Sequence, residues 1–194
     1  VIAGLMTKTN VIGVVAGYPY PNVNQPTNGF IAGAKSVNPD VKAKITYIEN
    51  WYDPAKVKES ATAQIAAGAD YIFSERLGVF EAVDGVSTFA FGNYVDQNDL
   101  APEVVVSSPI MMWDPVIRQI IEYWYEKQVS GEPYDAPMNE ISYFMKDGAG
   151  DIADFHGFAD KLPADVISKV EETRQQILDG ELVVPQIFDM AVSD

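Results

Sequence analysis

The sequence predicts an open α/β fold in which helices cover both faces of a doubly wound, mostly parallel sheet. Short apolar or β-branched runs alternate along the chain with longer segments of helical periodicity. The short runs are continuously apolar, which is typical of parallel strands that are buried on both faces. Because parallel neighbours need a crossover between them, the strand–helix–strand spacing favours a doubly wound arrangement.

Five strands are predicted from the apolar runs. They are rich in valine, isoleucine and aromatic residues, which fit a pleated, buried surface. The predicted strands are Val11–Ala16, Lys44–Ile48, Tyr71–Phe73, Thr88–Phe91 and Val104–Ser107.

Helix boundaries are predicted from capping and stop signals. Asp53 followed by Pro54 offers an N-cap and a first-turn proline, and Gly68 offers a stop. Asp114 and Gly131 bound a second helix in the same way. Further helices are predicted from Pro163 to Gly180, over Asn28–Ser36 and over Val79–Val83.

Two irregular segments suggest a division of the chain. Asn93–Glu103 and Tyr143–Gly150 interrupt the alternation of strands and helices, and both are candidate hinges between two lobes. We therefore predict one α/β lobe over residues 1–92, with hinge crossings and segments that return to a truncated second lobe over residues 93–194. The apolar start Val1–Met6 reads as the tail of a helix, so a preceding part of the protein is expected.

Composition argues against several classes of function. The net charge of −15 and the lack of a Lys/Arg cluster argue against nucleic-acid binding and against attachment to anionic lipid. The chain has no cysteine and a single histidine, His156, which disfavours thiolate sites, zinc clusters and His-based triads. No P-loop, GxGxxG, GxSxG or HExxH motif occurs. We predict a protein that is not an enzyme and needs no cofactor or metal.

Aromatic and polar residues follow the predicted strands. Ligands of open α/β sheets bind outside the carboxyl ends of the strands. Aromatic faces separated by amide, hydroxyl and charged groups suit a flat, polar, uncharged ligand. The predicted ligand-binding residues are Trp51, Ser74, Glu75, Asn93, Tyr94, Met111 and Trp113.

Other roles remain open for some of these residues. Trp51 and Trp113 could instead be half-buried core or helix-cap residues. Glu75 and Arg76 could form an internal ion pair that shapes the cavity.

Several motifs together resemble the basic membrane protein family. Each motif alone is weak, but they occur in the family's order along nearly the whole chain. They are Ala3–Thr9 with Val11–Gly13, Asn28–Asp40, Trp51–Lys56, Ala66–Asp70, Val95–Gln97, Leu100–Pro102, Trp113–Val116, Met145–Gly148, and Leu162–Pro163 leading to Gly180.

The resemblance implies a type I periplasmic-binding-protein fold with a ligand between two lobes. It also implies an extracytoplasmic lipoprotein whose lipid anchor lies outside this chain and which delivers a purine nucleoside or base to an ABC permease. By resemblance, Trp51 stacks on the purine and Asn93 occupies a ribose-binding position. Met111 departs from the lysine or tryptophan of other members, and Ser74–Arg76 replaces a longer loop. These departures leave a free base or another flat heterocycle open as the ligand.

Three other classes of protein share features with this pattern. The effector-sensing domain of a transcription regulator uses the same two-lobe fold. A sugar or amino-acid receptor of similar fold would rely on charged clamps or on aromatics suited to sugar faces. An enzyme on a flavodoxin-like sheet is disfavoured because no catalytic constellation is present.

Overall fold

The computed structural model describes residues 1–136 and 142–194, and a parallel five-stranded sheet lies at its centre. The strands are β1 (Val11–Ala16), β2 (Lys42–Tyr47), β3 (Tyr71–Ser74), β4 (Phe89–Phe91) and β5 (Val105–Ser107). Their order in the sheet is β2-β1-β3-β4-β5, and every neighbouring pair is parallel. The α/β prediction is confirmed, and each predicted strand is correct to within two residues at either end.

Helices pack on both faces of this sheet. The helices are α1 (Ile2–Met6), α2 (Pro21–Lys35), α3 (Pro54–Ala66), α4 (Phe80–Val83), α5 (Asp114–Ser130) and α6 (Ala164–Leu178). One apolar cluster joins the first face to α1, α2 and α6, and a second joins the other face to α3 and α4. Val14 and Phe73 belong to the first cluster, whereas Val15 and Ile72 belong to the second, so successive residues of a strand lie on opposite faces of the sheet.

The two Asp-Pro signals act differently. Asp53 caps α3, because its Oδ1 accepts a hydrogen bond of 3.0 Å from the backbone N–H of Lys56. Asp114 was predicted to be a cap, but it lies inside the first turn of α5 and pairs with Arg118 at 2.9 Å. Trp113 occupies the N-cap position of that helix and makes no side-chain cap bond.

The helix predicted over Asn28–Ser36 is longer than expected. It begins at Pro21, where a proline in the first turn loses no helical hydrogen bond. Pro26 lies within the helix and is accommodated without ending it. The prediction was therefore wrong at the N-terminal boundary by seven residues, from Asn28 back to Pro21.

The sheet reverses its winding direction beside β1. The chain passes from β1 to β2 on one side and then returns to place β3 on the other side. The carboxyl ends of β1 and β3 therefore face a crevice that crossing segments do not cover, which is where open α/β sheets bind ligands.

The sheet continues past residue 92. β5 pairs with β4, and Val166 and Val170 of α6 belong to the core of the same sheet. A separate antiparallel pair follows, formed by β6 (Pro109–Met111) and β7 (Gly150–Ile152).

Helix α5 contributes no buried residue. The assignment of residues 93–194 to hinges and returning segments therefore remains a prediction, and β5 and α6 within that range pack in the first lobe.

The last residues of the chain contact the edge strand β2. Asp194 Oδ2 accepts a hydrogen bond of 2.9 Å from the backbone N–H of Ala43, and Ser193 Oγ accepts one of 2.9 Å from that of Ile45. Lys35 of α2 holds Asp194 at 2.8 Å. Among the described residues, no helix combines the length and apolarity that crossing a membrane requires.

Candidate functional site

A cavity lies at the carboxyl edge of the sheet. Its volume is about 180 Å³, and five of the seven predicted ligand-binding residues line it. The lining residues are Trp51, Tyr52, Asp53, Ser74, Glu75, Arg76, Leu77, Asn93, Tyr94 and Gln97.

Met111 and Trp113 do not line this cavity. Both are exposed, and the backbone N–H of Met111 donates a hydrogen bond of 2.9 Å to the carbonyl of Tyr94 in the cavity wall. They stand apart because β6 leaves the main sheet and pairs with β7 instead. Trp113 occupies the N-cap position of α5 without a side-chain cap bond, so its side chain neither caps the helix nor lines this cavity.

A larger concavity of about 530 Å³ lies beside the first and shares Tyr52 and Leu77 with it. It is walled by α4 and by the segment Leu100–Val104, and none of the predicted ligand-binding residues lines it. The smaller cavity holds the buried carboxylate, the amides and the indole. It therefore has the chemistry that recognition of a flat polar ligand requires.

Trp51 is an exposed aromatic platform. It follows β2, is 45% exposed, and is therefore not a core residue. Tyr18 and Tyr20 lie against it with ring centroids at 4.9 and 5.7 Å. The guanidinium of Arg76 lies 4.8 Å from the centroid of the indole ring, a cation–π distance. These contacts fix the orientation of an indole that still offers area for stacking.

Glu75 is the buried charge of the cavity. Its side chain has no exposed surface, and Oε2 accepts a hydrogen bond of 2.9 Å from the backbone N–H of Gly17. Arg76 Nε lies 3.0 Å from the same oxygen, although its N–H is not aligned for a hydrogen bond. The ion pair predicted from these adjacent residues is therefore present. The second oxygen, Oε1, has no hydrogen-bond partner among the described residues.

Burial raises the pKa of Glu75, while the Gly17 N–H and the charge of Arg76 act in the opposite direction. Tyr94 is affected too: burial, and then the charge of Glu75, raise the pKa of its phenol. The carboxylate and the phenol are thus close enough to sense each other electrostatically.

Hydrogen bonds between side chains and the backbone hold the remaining wall of the cavity. Asn93 Nδ2 donates to the carbonyl of Glu75 at 3.3 Å, and the backbone N–H of Asn93 donates to Gln97 Oε1 at 3.0 Å. Ser74 Oγ donates to the carbonyl of Arg76 at 2.8 Å. Tyr94 adopts a left-handed backbone with φ of 66°, a conformation that costs a non-glycine residue energy and often occurs at functional sites. The wall is held by side chain-to-backbone bonds rather than by regular structure.

Two groups beside the cavity were not among the predicted ligand-binding residues. Tyr18 and Tyr20 follow β1 directly, so the rule that places ligands at strand ends puts them at the binding edge. Arg76 was considered only as the partner of Glu75, and its contact with Trp51 depends on a fold that joins separate segments. His156 lies outside the cavity, where its Nε2 is 2.6 Å from Asp96 Oδ2.

The arrangement supports binding more readily than chemistry. An indole platform, a buried acceptor and fixed amides can stack on a planar ring and contact its edge. Within residues 1–136 and 142–194, no group of histidine or carboxylate side chains could hold a metal ion.

The chain is similar to curated binding proteins. A purine-binding protein of Brucella abortus (strain 2308) is 30% identical over 184 residues, which are 94% of this chain and 49% of the relative. A protein of Haloferax volcanii that is named for glucose binding in ABC transport is 28% identical over 183 residues, 93% of this chain and 44% of the relative. The chain thus spans about half the length of these relatives.

Solved structures share the fold. An ABC transporter solute-binding protein from Aeropyrum pernix K1 superposes with a TM-score of 0.74 at 21% identity, over 96% of this chain and 62% of that one. A transcriptional activator of the comK gene from Bacillus halodurans gives 0.73 at 22% identity, over 93% and 60%. Residues 1–137 also match the Bmp family, described as ABC transporter substrate-binding protein PnrA-like. On this match, the chain belongs to the Bmp family of PnrA-like ABC transporter substrate-binding proteins.

Proposed function

We propose that the protein containing this chain is an extracytoplasmic receptor that delivers a purine nucleoside or base to an ABC importer. The observation that carries the proposal is Trp51, an exposed indole that lines the same cavity as the buried carboxylate of Glu75. A purine offers a face that stacks on such a platform and an edge of donors and acceptors. The purine-binding relative from Brucella abortus supports the same class of ligand.

Charge favours a neutral ligand over a nucleotide. The chain carries a net charge of −15, and Glu75 lies buried at the cavity. Arg76 is the cation lining the cavity, and it already faces Glu75 and Trp51. A phosphate group would meet a repulsive field with no free cation among the lining residues. A nucleoside or free base avoids this cost.

The partner and location follow from the proposed role. Family membership favours an ABC permease as the partner of the ligand-loaded protein. A receptor of this kind works outside the cytoplasm, and we propose that it reaches the membrane through a lipid anchor outside residues 1–194. Nucleic acid is not expected as a partner, since the net charge is −15 and the sequence contains no cluster of Lys or Arg.

A receptor for another small polar solute is the second candidate. The relative from Haloferax volcanii is named for glucose binding, and aromatic platforms also stack on sugar faces. The solved regulator from Bacillus halodurans shares the fold at 22% identity, so a ligand-sensing regulator is a further alternative. The ligand profile separates purine from sugar, and gel-shift assays with promoter DNA test for a regulator.

The test is titration calorimetry on the purified full-length protein, stripped of bound ligand by unfolding and refolding. The panel is adenosine, guanosine, inosine, their free bases and glucose. We expect saturable binding of at least one purine and no heat with glucose. Chromatography of the mixtures should show no turnover. Binding of glucose alone, or release of free base from a nucleoside, would contradict the proposal.

A further inference from the structure

We propose that Glu75 selects purines that present an N–H donor at the edge of the ring, with the carboxylate oxygen Oε1 as the acceptor. The inference rests on the proposed function and names the group of the ligand that this chain recognises, an N–H at the edge of the ring. Glu75 is thereby a specificity-determining residue, distinct from the stacking platform provided by Trp51.

The first observation is an unpartnered buried oxygen. The Glu75 side chain is fully buried, and its Oε2 is used by Gly17 and Arg76, whereas Oε1 has no hydrogen-bond partner among the described residues. Leaving a buried charged acceptor unpaired is costly, so each such atom calls for an explanation. A donor on the ligand would satisfy this oxygen.

The second observation is position. Glu75 follows β3 directly and reaches across to Gly17 after β1, so it sits at the point where the sheet reverses its winding. It lines the same cavity as Trp51 and Asn93. A ring stacked at Trp51 would therefore turn its edge towards a wall that contains the carboxylate.

The third observation is that Oε2 already faces one donor and one cation. The Gly17 N–H and the Arg76 guanidinium both approach Oε2 and favour the ionised form, and they oppose the burial that raises the pKa of this carboxyl. An ionised carboxylate accepts hydrogen bonds and cannot donate them. It repels a ring nitrogen that offers only a lone pair and binds an N–H, and charge-assisted hydrogen bonds are about twice as strong as neutral ones.

A preference for an N–H donor distinguishes purine nucleosides by the groups at the edge of the base. Inosine carries an N1–H, and adenosine carries an exocyclic amino group. Purine riboside has the same ring and ribose but no N–H on its base. We expect inosine or adenosine to bind roughly tenfold or more tightly than purine riboside, since removing the partner of a buried charged group costs this much.

The variant Glu75→Gln tests the role of the charge at nearly unchanged volume. Its amide can still accept from Gly17, which leaves the –NH₂ group as the atom available to the ligand. Affinity for the preferred nucleoside should fall roughly tenfold, whereas that for purine riboside should change by less than about twofold. Glu81→Gln, an exposed carboxylate of the neighbouring concavity, is the matched control and should alter neither affinity.

The experiment is calorimetry on the ligand-free full-length protein with inosine, adenosine and purine riboside, paired with thermal melts. If the wild type binds no purine, the proposed function fails and this inference fails with it. If the wild type binds all three equally, or Glu75→Gln weakens all three equally, the proposed function survives and only the role of Glu75 is overturned. Should Glu75→Gln not fold, the comparison within the wild type decides alone.

Discussion

Trp51 is the residue whose removal should weaken binding most. Stacking of a base on an aromatic side chain contributes roughly 1–3 kcal/mol. We expect Trp51→Ala to weaken purine binding by about ten- to a hundredfold, at about 1.4 kcal/mol per decade. Folding should suffer less, because the indole is 45% exposed. Calorimetry and thermal melts on the full-length protein measure the two effects.

Trp113→Ala is the matched comparison for Trp51→Ala. Trp113 is 63% exposed and lies outside the cavity, so its loss should leave the affinity of this cavity unchanged. Equal losses of affinity in both variants would place the binding site elsewhere. A large loss of stability in Trp51→Ala would indicate that the indole mainly supports the fold.

Residues of the candidate site could be predicted from the sequence where they follow one of three strands. Contacts that depend on the folded chain could not. Trp51, Ser74 and Asn93 could be found because the carboxyl ends of parallel strands meet at one edge. Met111 lies outside the cavity because β6 pairs with β7, and nothing in its local sequence reveals that pairing. The contact of Arg76 with Trp51 joins residues 25 positions apart, from 51 to 76, and only the folded chain creates it.

At the scale of single elements, two glycines should respond in opposite ways to alanine. Gly29 lies inside α2, and a Cβ there would meet no atom within 4 Å. Gly29→Ala should raise the free energy of unfolding by about 0.5–1 kcal/mol, since glycine loses more backbone entropy in a helix.

The contrasting variant is Gly13→Ala in β1. A Cβ there would lie 2.3 Å from Gln64 Oε1 and 3.0 Å from Ile72 Cγ1. We expect a loss of about 1–3 kcal/mol from overpacking. Denaturant titrations measure both, and a destabilised Gly29→Ala would show that α2 is not continuous through that position.

A pair between β7 and α6 should make stability depend on pH. Arg174 Nε donates to Asp151 Oδ1 at 2.8 Å, and this hydrogen bond is the main reason that the pKa of Asp151 is lowered. The stabilisation is present at neutral pH and is lost as the pH falls through the lowered pKa. Arg174→Gln should therefore melt below the wild type at neutral pH, with the difference shrinking in acid.

Lys169→Gln serves as the control for this pH dependence. It breaks an exposed pair of 2.9 Å with Glu172, and such pairs contribute little to stability. Thermal melts between pH of about 7 and about 3 span the range of aspartate titration. If the difference in melting temperature between Arg174→Gln and the wild type stays constant with pH, Arg174 acts through packing.

Helices with clear end signals were predicted better than those without. Asp53, Pro54 and Gly68 marked α3, and Gly131 marked the end of α5 with a left-handed φ of 74°. The start of α2 was missed because its first turns are polar and contain Pro26. β6 and β7 have three residues each, too few for periodicity to distinguish them from loops.

Helix α5 carries an apolar surface that none of the described residues covers. Four side chains of α5 form a stripe at helical spacing and are each 44–55% exposed: Ile117, Ile120, Ile121 and Trp124. Monomeric proteins seldom expose such continuous apolar patches. Since the curated relatives are about twice as long as this chain, we propose that the stripe packs against a second lobe.

Ile121→Asp in the full-length protein tests this packing. If the stripe is buried there, an unpaired carboxylate on it should lower the melting temperature clearly, because burying an uncompensated charge is costly. Arg118→Gln, on the exposed polar side of the same helix, should have little effect. Equal melting temperatures for Ile121→Asp and the wild type would show that the stripe faces solvent in the whole protein.

The contacts between residues 193–194 and β2 bear on self-association. β2 is an edge strand, and the unused N–H and C=O groups of an edge are a template on which another chain can add a strand and begin a fibril. Here Asp194 and Ser193 occupy the N–H groups of Ala43 and Ile45, and Lys42 and Lys44 add charge along the same edge. Residues 193–194 should therefore oppose intermolecular β-pairing along β2. Removing them should increase aggregation at high protein concentration before it changes ligand affinity.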